Sequence, residues 1–265
     1  MNRTASPSIA LVTAAVARDL DEDLPPLQAV LLAAGAAVHI VDWDDGGCDW
    51  ASFDLALLRS PWDYVSRLPQ FLSWAEDAAA LTTLLNPVPL IRWNTDKHYL
   101  AEMAQAGVPI VPSEFIEPGA DGPAAIAAFL ARHDCHDLVV KPAIGAGSRD
   151  AQRHARTQSQ AIAAHVQRLI DAGRSALLQP YLERVDEDGE TALIYFDGRF
   201  SHAIHKGPLL QRGQEPTREL FAAEEISPRE PAADELHVAR RALAVVPSGR
   251  PLYARVDLIR DGGAA

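Results

Sequence analysis

Cysteine is scarce: Cys48 and Cys135 are the only two in a chain of 265 residues. That excludes a disulfide framework and makes a reducing compartment, the cytoplasm, the expected home. Basic charge is short as well, with 24 Lys and Arg against 36 Asp and Glu and a formal net charge of −12. A broad nucleic-acid footprint needs the opposite balance. No apolar run approaches the roughly 20 residues of a membrane span. Ile9 to Ala17 sits behind Arg3 and ends in an Ala15-Val16-Ala17 that could pass for a signal-peptidase site. With so thin a positive region before it, the run reads instead as a first buried strand. Internal repeats and low-complexity tracts are lacking too.

What is present is ordinary globular material, 48% apolar and 23% charged, enough for a sizeable core and one to three domains. The first part alternates strands at 8–14, 38–41, 55–58 and 84–86 with helices at 24–34 and 68–81. Strands spaced by such helices predict a mainly parallel sheet covered on both faces, in a small α/β domain over 1–89. Asn94 is a fitting N-cap for a helix over 95–105. Beyond it come strands at 114–116, 138–140, 151–154 and 176–179 and helices at 124–132 and 160–170. The last third carries strands at 191–196, 200–205 and 252–259 and a helix at 234–245. The polar stretch from Gly207 to Pro231 is longer than most connections, which suggests a lid or a disordered segment. The expected division of this remainder is 90–180 and 181–265.

Four segments carry chemistry. Lys141 ends an apolar strand and is followed by Pro142 and Gly145-Ala146-Gly147-Ser148. Backbone N–H groups of such a loop cradle phosphate oxygens while the ammonium adds a point charge, although a strand-end lysine in solvent is the commoner reading. The loop lacks the third glycine of a dinucleotide fingerprint and the Gly-Lys-Ser/Thr of a Walker A loop. Next, Gln179-Pro180-Tyr181-Leu182 breaks an apolar strand, leaving backbone groups for an adenine edge or simply ending the strand. Third, Arg255 and Asp257 lie two apart on a strand and project to one side. They suit either phosphoryl chemistry, with Asp257 on Mg²⁺ and Arg255 on developing charge, or a structural ion pair. Fourth, Arg59-Ser60-Pro61-Trp62-Asp63-Tyr64 follows a buried strand, where α/β sheets place ligands. Arg59 and Asp63 would grip the carboxylate and amine of an amino acid, with Ser60 and Tyr64 beside them, unless the segment is a Trp-anchored turn. His133-Asp134-Cys135-His136-Asp137 has no metal-ligand spacing and reads as a polar loop.

In order and spacing these segments resemble the ATP-grasp superfamily of carboxylate–amine ligases. That resemblance, which covers essentially the whole chain, implies an N-terminal α/β domain and two α+β subdomains that clamp ATP between antiparallel sheets. It implies phosphate contacts from Lys97 and Lys141, and ribose contacts from Glu183 or Asp186. Arg59–Tyr64, the run Ile91-Arg92-Trp93-Asn94-Thr95-Asp96-Lys97, Gly189-Glu190-Thr191 and His205-Lys206 further resemble the branch containing the cyclo-ligase of D-cycloserine biosynthesis. The resemblance adds Glu190 on the substrate side and Lys206 as a third phosphate-side cation, unless Lys206 merely ends its strand. It implies ATP and Mg²⁺ as cofactors and a small amino-acid-like substrate closed to a ring through an acyl phosphate. An intermolecular ligase of the glutathione-synthetase type and a nucleotide binder without turnover are the alternatives, and the oligomeric state, a homodimer included, is left open. One departure stands out. The superfamily's second acidic motif, a dozen or so residues after Arg-x-Asp, is expected beyond Ala265 if the native chain extends further.

Overall fold

The computed structural model describes residues 6–213 and 225–262; the middle of the expected lid, 214–224, and residues 263–265 lie outside them. The chain divides into two units, Met1–Arg92 and Trp93–Ala265.

The first unit is a four-stranded parallel sheet with strand order β2-β1-β3-β4. Its strands are β1 (Ser8–Thr13), β2 (Ala37–Asp42), β3 (Leu55–Ser60) and β4 (Thr83–Leu85), with helices α1 (Leu24–Ala33) and α2 (Leu68–Leu81) between them. Alternation along β1 sends Ile9 and Leu11 into a core with Leu24 and Val38, against which Leu27 and Leu31 of α1 pack. α2 buries Phe71, Ala75 and Ala78. An aromatic cluster joins Trp43 to Phe71 at 5.4 Å and Trp50 to Trp74 at 5.2 Å between ring centroids. Because β1 pairs with β2 on one side and β3 on the other, the chain reverses its winding between β1 and β3. The carboxyl ends of those strands border the switch point where open α/β sheets take ligands.

The second unit holds two four-stranded sheets, ordered β5-β8-β6-β7 and β11-β10-β9-β12. It begins with α4 (Tyr99–Gln105), preceded at the unit boundary by α3 (Val88–Asn94). The first sheet comprises β5 (Glu114–Ile116), β6 (Asp137–Pro142), β7 (Gln152–Ala155) and β8 (Ala176–Pro180), with α5 (Gly122–Arg132) and α6 (Ser159–Asp171). Leu138, Val140, Ala176 and Leu178 point into a core with Phe129, Ile162, Val166 and Leu169 of the helices. Val139, Lys141, Leu177 and Gln179 therefore share the opposite face.

After the short α7 (Val185–Asp188), the second sheet follows: β9 (Glu190–Phe196), β10 (Arg199–Lys206), β11 (Ile226–Arg229), α8 (Ala233–Val245) and β12 (Tyr253–Leu258). Leu193, Tyr195 and Ala203 form its core with Ala239 of α8, and Ala254, Val256 and Leu258 pack on them. The alternate residues line the other face, where Glu190 pairs with Lys206, Ala192 with Asp257 and Ile194 with Arg255.

One expected element is corrected. Asn94 does not cap a helix over 95–105; it closes α3, and the next helix starts at Tyr99. The Lys97 N–H donates to the Ala143 carbonyl and the His98 N–H to Asp96 Oδ1, so these donors serve a turn in place of a first helical turn. β11 is an addition within the stretch read as a connection, and α7 within the segment after the hinge.

Candidate active site

Two lysines of the second unit converge on the Gly145–Ser148 loop. Lys97 Nζ donates to the Gly145 carbonyl at 2.7 Å and to the Ala143 carbonyl at 3.3 Å. Gly145 is needed there, since a Cβ would lie 2.9 Å from Pro142 Cγ. Gly147 and Ser148 both take positive φ, near 60°, as the loop turns. Burial, then repulsion from Lys141, pulls the Lys97 pKa down to about 7; Asp96 opposes and Arg174 adds to the fall. Burial also lowers Lys141, with only Glu190 acting against it. Burial thus disfavours the charged form of both ammonium groups, which an anionic ligand would restore.

The second cluster lies on the open face of β9, β10 and β12. Lys206, 4% exposed, puts Nζ 3.4 Å from both Glu190 Oε2 and Asp257 Oδ2. Arg255 grips Asp257 through two nitrogens, at 2.7 and 2.9 Å. Gly189, at φ +63°, brings Glu190 onto this face, and a Cβ on it would stand 2.4 Å from the Lys206 carbonyl oxygen. Among the described residues no three His, Cys, Asp or Glu side chains form a metal cage. Magnesium needs only one or two carboxylates when phosphate and water supply its other oxygens. Asp257 offers one such carboxylate, and here Arg255 engages both of its oxygens and Lys206 one of them.

The segment after β8 is more engaged than its sequence suggests. Tyr181 N–H donates to the Asp137 carbonyl, and Gln179 Nε2 donates to Ser113 Oγ at 2.8 Å. Asp186 accepts from Tyr181 Oη and from Arg153 Nη1 at 2.8 Å, while the Arg153 guanidinium stacks 3.5 Å above the Tyr181 ring. Burial of the Asp186 carboxyl is outweighed by these bonds, which keep its pKa low. Glu183 is exposed, next to Leu182. Val139, Tyr181 and Val185 form a small apolar cluster on which Leu210 and Ile259 pack. Arg212 Nε reaches the buried Asp137 at 2.7 Å, so the described start of the expected lid is tied to the hinge.

In the first unit, Arg59 bonds buried Asp21 through Nη2 at 2.9 Å and Nε at 3.3 Å. Ser60 Oγ and Thr13 Oγ1, both fully buried, meet at 2.8 Å across the switch point. Asp63 accepts from Trp43 Nε1 at 2.8 Å and pairs with Arg67, which lies over the Trp43 ring. Tyr64 rests against Phe71 at 5.4 Å. The four residues thus stand together at one edge, each with partners inside the unit.

Comparison with known proteins gives the family of the chain. Residues 9–86 match the family described as D-cycloserine synthetase DcsG, N-terminal domain. The cycloserine biosynthesis protein DcsG of Streptomyces lavendulae is 41% identical over 261 residues, which cover 95% of this chain and 86% of that protein. The chain belongs to the D-cycloserine synthetase family. A crystal structure of D-cycloserine synthetase DcsG superposes with TM-score 0.88 at 40% identity, over 97% of this chain and 88% of that one. The ATP complex of D-alanine–D-alanine ligase from Bacillus anthracis shares the fold at TM-score 0.64 and 12% identity, over 98% of this chain and 83% of that one.

In this D-cycloserine synthetase-family chain several supporting groups were missed from sequence. Asp21 lies in an acidic turn whose partner is 38 residues away. Asp150, which pairs with Arg168 and Arg174 and so fixes the end of the glycine loop, carried no motif. Arg153 is a lone strand arginine, legible only once Asp137 and Asp186 are seen around it.

Proposed function

We propose that this protein is an ADP-forming ligase that activates the carboxylate of an amino-acid-like substrate and closes it to a ring, with O-ureido-D-serine as substrate and D-cycloserine as product. The observation that carries the reading is the Lys97–Lys141 pair, two half-buried cations beside a glycine loop with too little counter-charge. A triphosphate supplies what that place lacks. Membership of the D-cycloserine synthetase family supports the choice of substrate.

In this mechanism Lys97, Lys141 and the backbone of Gly145, Gly147 and Ser148 hold the phosphates of ATP. Gln179, Tyr181 and Leu182 border the adenine, with Val139 and Leu210 as apolar walls. Glu183 is the better ribose ligand, because Asp186 is already committed to Arg153 and Tyr181. Magnesium, held by Asp257, would offset charge on the β- and γ-phosphates. The substrate carboxylate attacks the γ-phosphorus, ADP leaves, and Arg255 and Lys206 stabilise the charge that develops in transfer. The substituted hydroxylamine nitrogen of the same molecule then displaces phosphate from the acyl carbon. Holding the two ends together replaces a bimolecular encounter. Addition of water to the ureido carbonyl releases CO₂ and NH₃, so one ATP and one water are consumed per ring. Arg59, Ser60, Asp63 and Tyr64 recognise the amino-acid end, and Glu190 contributes on the substrate side. The reading assigns the protein to the cytoplasm; no helix among the described residues is long and apolar enough to cross a membrane.

The decisive experiment incubates the protein with ATP, Mg²⁺ and O-ureido-D-serine and follows ADP and product mass. Stoichiometric ADP and D-cycloserine are expected. Product found only when a second amine is added would replace ring closure with an intermolecular ligase. ATP binding without ADP from any amino acid would leave a nucleotide binder.

A further inference from the structure

The turn that presents Lys97 is held by a histidine with no place in the chemistry above. His98 Nδ1 lies 2.5 Å from Asp96 Oδ1, the oxygen that also accepts the His98 N–H at 3.1 Å. On the other side of the ring, Nε2 lies 3.0 Å from Glu117 Oε1. The ring stacks on Phe115 at 3.9 Å and 23°. Carboxylates only accept, so an imidazole between two of them satisfies both when each nitrogen carries a proton. Burial disfavours that charge, but the bonds to Asp96 and Glu117 outweigh it and raise the pKa.

The contacts close a circuit. Glu117 Oε2 accepts from Ser175 Oγ at 2.5 Å. The Ser175 carbonyl accepts from Ala143 N–H at 2.9 Å, and the Ala143 carbonyl accepts from Lys97 N–H at 3.0 Å. From Lys97 the chain returns to His98 by one peptide bond. Phe115, under the imidazole, pairs with Leu177, which pairs on its other side with Lys141. One ring system therefore spans the strand row that bears the second lysine and the turn that bears the first.

We propose that His98, clamped as an imidazolium between Asp96 and Glu117, is the positioning residue for Lys97, setting its ammonium where it and Lys141 meet one triphosphate. The inference rests on the reading of Lys97 as a phosphate ligand, so the test separates the two. Lys97→Gln, His98→Phe, the double variant and Glu117→Gln are compared by calorimetric titration with ATP and Mg²⁺ and by steady-state ADP release. Phe at 98 keeps the stack and removes both donors; Glu117→Gln loosens the same clamp with the histidine in place and serves if His98→Phe does not fold.

Lys97→Gln is expected to weaken ATP at least about 30-fold, as loss of a charged partner does. His98→Phe should raise KM for ATP about tenfold, with kcat and KM for the amino-acid substrate within about twofold of wild type. Glu117→Gln should shift KM for ATP in the same direction by a smaller factor. In the Lys97→Gln background, His98→Phe should change ATP affinity less than twofold, because it acts through the group already removed. An unchanged KM for ATP in His98→Phe overturns the proposal while leaving Lys97 in its role. Equal losses from His98→Phe with and without Lys97 overturn it as well, pointing to general support of the fold. Unchanged ATP affinity in Lys97→Gln overturns the phosphate reading of that lysine and the proposal with it.

Discussion

The charged edge of the first unit and the lysine pair of the second are built on opposite principles. At the carboxyl edge of the parallel sheet each charge already has its opposite: Arg59 has Asp21, and Asp63 has Arg67. Such groups are pre-oriented, and a ligand that adds to them is read by geometry more than by bulk charge. Lys97 and Lys141 are left to repel each other beside a glycine loop, and the Lys97 ammonium has only backbone carbonyls to donate to among its hydrogen bonds given above. Neutralised groups contribute to the fold; uncompensated ones strain it and await an anion. In the proposed function, a small zwitterionic amino acid uses the first arrangement and a polyanion the second.

The largest test of this contrast is Lys141→Met. It should reduce ATP affinity at least about 100-fold, because a cation beside phosphate is lost. It should also raise the melting temperature of the ligand-free protein, since Lys97 no longer faces a like charge. Titration calorimetry and thermal denaturation read the two effects, and a fall in both would erase the distinction.

Arg59→Met makes the converse case. Asp21 keeps only 3% of its side chain exposed, so stranding it should cost about 3 kcal/mol of stability. Urea denaturation reads this loss, and Asp21→Asn in the same background should recover part of it. An unchanged midpoint would mean that the edge is no more self-supporting than the lysine pair.

A pH-dependent effect concerns the support of the glycine loop. His165 Nε2 donates to the Asp150 carbonyl at 3.1 Å, which leaves Nδ1 to accept from His154 Nε2 at 3.0 Å. The His165 ring is thereby neutral. Burial, with repulsion from Arg168 and His154, lowers the His165 pKa from 6.5 to about 4. Between those values the unfolded chain takes up a proton that the folded one refuses. The stability that His165 contributes is therefore fully present above pH 6.5 and is lost by about 1.4 kcal/mol per unit as the pH drops towards 4. His165→Gln should flatten that slope in denaturation series across the window. A slope identical to wild type would assign the acid sensitivity elsewhere.

How much of this was legible beforehand depends on the range of the signal. Period-two and helical patterns gave the α/β opening, the buried strand ending in Lys141 and the paired projection of Arg255 and Asp257, because each is a local consequence of strand geometry. The glycine loop and the hinge were legible as breaks in those patterns. The turn at 95–98 was not, since Thr95-Asp96-Lys97-His98 has no helix breaker and its N–H donors are claimed by Ala143, 46 residues from Lys97, and by an Asp96 side chain. The commitment of Asp186 to Arg153, and of Arg59 to Asp21, was hidden for the same reason. Long-range charge pairing leaves no period in a sequence.

The interleaving on β9 and β12 constrains how this protein can vary. Arg255 and Asp257 alternate with Ala254, Val256 and Leu258 of the core, one residue at a time. Losing or gaining a single residue within β12 would turn the arginine and the aspartate into the hydrophobic layer under α8 and expose the aliphatic set. Substitutions can drift one by one along this strand, but a single-residue insertion keeps the arginine and the aspartate on the open face only if a bulge absorbs it, as the register shift between Phe200 and His202 does in β10.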